Sequence, residues 1–249
     1  MPRVVDGLLK ELVDGLPAVA VDGAKGVGKT STAARLARST VELDWPGSRA
    51  NVAADPQIVT GMEPPTLIDE WQLVPEVWDV VRREVDRDRK PGRFILTGSA
   101  SPTKDVRAHS GAGRIVSLTM RPMTLPERGV AVPTVSFADL LAGNGAPVTG
   151  RSEVGLADYT RELLASGLPG IRLDPPRLRP RQLNSYIDQA VDHEIPALGI
   201  GVRRPSALRA WLQAYAAAVA TTASYTAILD AATPGEADKL SRPTALAYR

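Results

Sequence analysis

The sequence predicts an α/β fold: a parallel sheet with helices between its strands, followed by a smaller all-helical region. Three observations carry that reading. Short apolar strands alternate with helices over residues 1–135, the pattern of a parallel sheet with crossover helices. A glycine-rich turn between the first strand and the next helix has the spacing of a phosphate-binding loop. From residue 137 onward Ala and Leu dominate and strand signals fade.

In order along the chain, Val5, Leu8, Leu9, Leu12 and Val13 recur at helical spacing, so residues 5–16 are expected to form a helix that Pro17 ends. Residues 18–21 read as a buried strand, 29–38 as a helix and 40–43 as a second strand. Residues 51–65 are broken by Pro and Gly and give no clear element. Residues 66–68 form a strand running into two acids. Val77, Trp78, Val81 and Val85 share one face of a helix over 74–86. Lys90-Pro91-Gly92 is a turn, and 94–96 and 115–118 are further strands. Helices are expected at 156–165, 182–191, 206–219 and 224–231. The domains therefore read as 1–135, a linker at 136–155, and a helical domain at 156–249.

Composition narrows the function classes. The chain has 249 residues, no Cys, 43% hydrophobic and 23% charged residues. Disulfides, thiolate metal sites and a Cys nucleophile are excluded. No apolar run reaches the length of a membrane span, and the N-terminus lacks signal-peptide character, so a cytoplasmic location and no membrane partner are the expectation. With 30 basic and 28 acidic residues, the net charge is +2, which exerts no strong pull on nucleic acid. His109 and His193 are the only histidines and lack ligand spacing.

The chemistry concentrates in four places. Gly23-Ala24-Lys25-Gly26-Val27-Gly28-Lys29-Thr30 fits G-x-x-x-x-G-K-[ST] at every fixed position. Glycines let backbone N–H groups approach phosphate oxygens, and the helix that follows offers its positive end. Gly23, Lys25, Gly26, Val27, Gly28, Lys29, Thr30 and Ser31 are the expected ATP-contacting positions. Lys29 reaches the β- and γ-phosphates, and the Thr30 hydroxyl suits Mg²⁺. Asp69, at the end of an apolar strand, is the second expected Mg²⁺ residue, and Glu70 suits a general base for the attacking water. An adjacent Glu favours hydrolysis over transfer to a small acceptor. No Asn-Lys-x-Asp sequence occurs, which argues against a GTPase. After the strand at 94–96, Ser99 or Thr97 could stand near the γ-phosphate; simple strand-end capping is the plainer alternative. Arg114, on a Gly-flanked loop, could meet γ-phosphate charge or couple the site to a partner; a surface Arg before a strand is the alternative.

These residues carry a resemblance. The stretches 18–30, 66–78, 94–101 and 113–127, with Arg3 and the helix after it, resemble the prokaryotic AAA-superfamily ATPases that carry a C-terminal domain of unknown function. The Leu-Thr-Gly-Ser-Ala-Ser run, the Gly-Arg-Ile and Arg-Pro-Met-Thr-Leu-Pro-Glu runs, and residues 159–171 also match that pattern. The resemblance implies a P-loop NTPase sheet of order 5-1-4-3-2, ATP with Mg²⁺, Glu70 as the hydrolytic residue, Ser99 as the sensor and Arg114 as a trans-acting or sensor arginine. Where the family often has Arg, Lys25 keeps the charge.

The last third leaves two readings open. Residues 206–249 have the spacing of a helix-turn-helix, resembling part of a winged helix, with a DNA-reading helix at 241–249. The plainer reading is a helical packing domain. Seven arginines (172, 177, 179, 181, 203, 204 and 209) face four acids over 172–210; they could meet phosphates, while solvated helix ends are the bland account. DNA through residues 177–249, a protein partner and a homo-oligomer are the candidate couplings. Because the third helix stops at Arg249, the effector region is expected to be truncated. The leading expectation is an Mg²⁺-dependent ATPase acting as a switch or motor. The alternatives are a nucleotide-regulated DNA-binding protein with negligible turnover and a small-molecule kinase using 104–114 as a lid.

Overall fold

The computed structural model describes residues 1–99, 113–144, 148–197, 201–202 and 204–232. The chain divides into two compact units, Met1–Asp174 and Pro175–Arg249.

The first unit is built on a five-stranded sheet of order β2-β3-β4-β1-β5. Its strands are β1 (Ala18–Asp22), β2 (Ser39–Glu42), β3 (Thr66–Asp69), β4 (Phe94–Gly98) and β5 (Val116–Thr119), and all pairings are parallel. This is the expected 5-1-4-3-2 order, read from the other edge. The three central strands are buried at every residue, whereas β2 and β5 are buried at one residue in four. Helices and loops cover both faces at the centre, so central strands read as continuous apolar runs, and edge strands do not.

Helix α1 (Val5–Gly15) precedes β1, and the crossover segments carry α2 (Lys29–Ala33), α3 (Pro46–Ala54) and α4 (Glu76–Arg87). The α4 helix buries Val77, Trp78, Val81 and Val85 against Ala18, Ala20, Ile68, Phe94 and Leu96, which all belong to one core cluster. Glu76 and Asp79 in its first turn and Arg87 in its last suit the helix dipole. Two expectations need correction here. The helix expected over 29–38 ends at Ala33 and continues only as turns. The segment without a clear element, 51–65, holds the end of α3 and a 3₁₀ turn at Pro56–Gly61, started by the Asp55 carboxylate accepting from the Gln57 amide at 3.0 Å.

After α5 (Phe137–Leu141), α6 (Leu156–Ala165) and α7 (Pro169–Leu173) belong to the first unit, not to the helical one. Their polar groups explain it. Glu162 on α6 accepts from Arg172 at 2.7 Å and Arg128 at 3.5 Å, and the Met123 amide donates to the Gly167 carbonyl at 2.7 Å. The Arg172 hydrogen bond holds the Glu162 carboxyl below its ordinary pKa, against the opposing pull of burial.

The second unit contains α8 (Arg179–Gln189), a π-helical turn at Ala190–Glu194, α9 (Ile195–Ala197), α10 (Pro205–Ala217) and α11 (Tyr225–Ala232). Pro196 follows the π turn; its missing N–H and ring account for the break in the α-helical ladder. Val191, Leu208, Trp211, Leu229 and Ala232 form its core. The helices expected at 206–219 and 224–231 are therefore α10 and α11. The reading helix expected at 241–249 lies outside the described residues, so the helix-turn-helix is not established.

Candidate nucleotide site

The site grows from the carboxyl ends of β1, β3 and β4. Register places these ends side by side: Asp22 pairs with Gly98 and Asp69 with Thr97. The loop after β1 turns through Gly23, Gly26 and Gly28, all at positive φ. Gly23 has no alternative, because a Cβ there would lie 2.2 Å from the Met120 carbonyl oxygen. Gly28 stands at the N-cap of α2 with φ 96°. Glycine is thus sterically required at Gly23 and conformationally favoured at Gly26 and Gly28. Val27 is buried beneath it, while Lys25 and Ser31 are exposed.

Lys29 is buried, and its ammonium donates to the Gly23 and Ala24 carbonyls at 2.9 and 3.0 Å. Thr30 Oγ1 donates to Asp69 Oδ1 at 2.9 Å, and Thr97 Oγ1 donates to the same oxygen. Thr30 and Asp69 are hard oxygen donors lying together, the type Mg²⁺ takes alongside water and phosphate oxygens. No group of three or more His, Cys, Asp or Glu that could hold a metal occurs among the described residues. A cation bound here would therefore draw on few protein ligands, as Mg²⁺ does when nucleotide phosphates complete its shell.

Glu70 follows Asp69 in a left-handed conformation, φ 52° and ψ 44°. Non-glycine residues occupy that region at a cost of about 1 kcal/mol or more. Its carboxylate accepts from Gln72 Nε2, and the same nitrogen lies 3.3 Å from the Ser99 hydroxyl. Lys29, Thr30, Asp69, Glu70 and Ser99 therefore occupy one end of the sheet.

Arg114 does not join them. Val116 pairs with Val19, so Arg114 precedes β5 at the opposite end of the strands. At about 3.3 Å per residue, roughly 20 Å of strand separates it from the glycine loop. Its Nε donates to Asp86 Oδ1 of α4 at 2.7 Å. A role at the phosphates of its own chain is thereby removed. Thr97, the alternative sensor residue, instead serves Asp69.

Sequence reasoning assigns no role to three residues that the structure brings to the site. Gln72 bridges Glu70 and Ser99. Arg3 is buried, and its guanidinium donates to the Val27 carbonyl at 2.6 Å, the Arg121 carbonyl at 2.7 Å and Glu127 Oε1 at 3.0 Å. It ties the glycine loop to the segment after β5. Glu127 also accepts from the amides of Val4 and Thr124, both at 2.6 Å. Burial pushes the Glu127 carboxyl up, but these amide donors and Arg3 outweigh it and hold it below its ordinary pKa. The only signal for Gln72 was its place two residues after Glu70; Arg3 and Glu127 were noted as matching positions without a role.

Residues 16–128 match the family model described as an AAA domain. The uncharacterized protein Mb2031c of Mycobacterium bovis and the uncharacterized protein Rv2008c of Mycobacterium tuberculosis are each 30% identical to this chain over 126 residues. The match covers 49% of this chain and 29% of each relative's length. No helix among the described residues is long and apolar enough to cross a membrane. The matched segment contains the whole strand–loop–helix and both acids, so residues 16–128 are similar to AAA domains in the part of the chain that builds the site.

Proposed function

We propose that this protein binds ATP with Mg²⁺ and hydrolyses it, as a switch or motor coupled to a partner. The observation that carries the reading is the convergence of Lys29, Thr30, Asp69 and Glu70 at the carboxyl end of one parallel sheet. ATP phosphates lie in the glycine loop, contacted by the backbone from Gly23 to Thr30 and by Ser31. Lys29 leaves the loop carbonyls for the β- and γ-phosphate oxygens, exchanging neutral acceptors for charged ones. Thr30 and Asp69 hold Mg²⁺, which neutralises charge on the phosphates when bound. Glu70 takes the proton of the attacking water, and Ser99 contacts the γ-phosphate. Lys25, exposed on the loop, adds positive charge at its rim.

Lys29→Ala is expected to abolish ATP binding in a titration, and Glu70→Gln to keep binding while losing turnover. Equal hydrolysis by wild type and Glu70→Gln would remove Glu70 from the role of base.

The coupling is read from position. Arg114, at the far end of the strands, serves a neighbouring copy or a partner in this proposal. DNA contact through residues 177–249 is the competing reading. Of the seven arginines over 172–210, Arg172 is committed to Glu162 in the first unit, and Arg209 to Asp188 and Asp192 at 2.9 and 2.8 Å. Arg177 and Arg181 are exposed and are the residues to change. ATPase turnover measured with and without DNA separates the readings. A salt-dependent stimulation lost in Arg177→Ala/Arg181→Ala supports DNA, and turnover that rises with protein concentration and falls in Arg114→Ala supports self-association.

A further inference from the structure

The turn after β3 places an amide between the two groups assigned to water activation and phosphate sensing. Gln72 Nε2 donates to Glu70 Oε2 and, at 3.3 Å, to Ser99 Oγ. The orientation of this amide is fixed by chemistry, since flipping it would set its oxygen against a carboxylate. Two further features show that the arrangement is specific. Glu70 has a left-handed backbone, φ 52°, in the turn that carries Gln72 two residues on. Gly98 ends β4 beneath the amide, and a Cβ there would stand 2.4 Å from Gln72 Oε1 and 2.9 Å from Trp71 Nε1. Only glycine lets Gln72 lie across that strand end.

The amide is held on one side alone. Gln72 Oε1 is buried without a hydrogen-bond partner, as is the neighbouring Trp71 Nε1. A buried polar atom left unsatisfied opposes the arrangement, since it has lost its water without gaining a partner. Only the donor side, facing Glu70 and Ser99, anchors the side chain, so a change at either residue is felt at the other.

We propose that Gln72 is a positioning residue that couples Ser99 to the Glu70 carboxylate, so that the γ-phosphate contact at the sensor sets the orientation of the base. This rests on the assignment of Glu70 and Ser99 above. The amide bonds the Glu70 carboxylate and the Ser99 hydroxyl together. When Ser99 turns to a phosphate oxygen, Gln72 loses one acceptor and its remaining bond orients Glu70 on the water.

The test uses the full 249-residue chain with ATP, comparing wild type, Gln72→Ala, Gln72→Glu, Ser99→Ala, Gln72→Ala/Ser99→Ala and Glu70→Gln. Gln72→Glu keeps the size of the side chain, which guards against a folding defect, but replaces the donor by an acceptor. Both Gln72 variants are expected to lower kcat on the order of ten- to a hundredfold, the scale of a misplaced reacting group, with the Kd for ATP unchanged. The double variant should lose no more than the worse single one. Wild-type kcat in Gln72→Glu, a loss confined to ATP affinity, or multiplicative losses in the double variant would each overturn the coupling. Full turnover in Glu70→Gln would instead overturn the assignment of the base, a separate result.

Discussion

Arg3 and Glu127 form a buried pair, with side chains 5% and 6% exposed. Each has its remaining polar atoms satisfied by backbone, which is the condition under which a buried pair holds. Removing one member leaves the other charged and unpaired. Arg3→Ala is expected to destabilise the first unit by about 3 kcal/mol, read from the urea midpoint of unfolding, and to weaken ATP binding because Val27 loses its anchor. The pair also predicts an acid limb. The Glu127 carboxyl is lower in the folded state than in the unfolded one, so its contribution is complete above the ordinary Glu range. It is lost as pH falls through the folded value. Glu127→Gln should therefore flatten the dependence of stability on pH below about 4.5, the ordinary Glu value. An unchanged acid limb in that variant would place the effect elsewhere, for instance at Glu162.

Elements set what those residues can reach. The glycine loop works because its turns exclude side chains for different reasons, and the reasons predict different outcomes. Gly23→Ala meets the Met120 carbonyl at 2.2 Å, so the loop must part from β5. ATP binding should be lost along with several degrees of thermal stability. Gly26 has φ 75° but open space around it, so Gly26→Ala costs only the backbone strain, about 1 kcal/mol, and should still bind ATP. Calorimetric titration of both variants checks the contrast. The edges of the sheet behave as expected from the same physics. The exposed residues of β2 and β5 carry less hydrophobic signal than β1, yet those strands were legible because their neighbours in sequence set the alternation. The segment at 46–61 was not legible. Its helix and 3₁₀ turn bury only Val52 and Val59, too few apolar residues to show a period.

At the scale of the molecule, the two compact units give a direct test. Residues 1–174 hold the sheet, the site, the Arg3 pair and the Glu162 pairs. Expressed alone, they are expected to fold and to bind ATP as the full chain does, while a piece ending at 155 should be less stable because Arg128 and Met123 lose their partners on α6 and after it. Thermal unfolding of the two pieces decides between the boundaries. The chain spans less than a third of the length of the mycobacterial relatives it matches.

The sequence by itself determined the class of sheet, the glycine loop and the two acids, because each is local: a short apolar run, a spacing of glycines, a carboxylate at a strand end. The parallel order of the strands followed from the resemblance and was found in the structure. What only the tertiary structure decided is which distant side chains meet. Arg114 lies one strand-length from the loop it could have served, since strand direction and register, not distance in sequence, fix its end of the sheet. Gln72 meets Ser99 across 27 residues, and Arg3 meets Glu127 across 124. Such contacts leave no periodicity in the chain, because they depend on how separate elements close on one another.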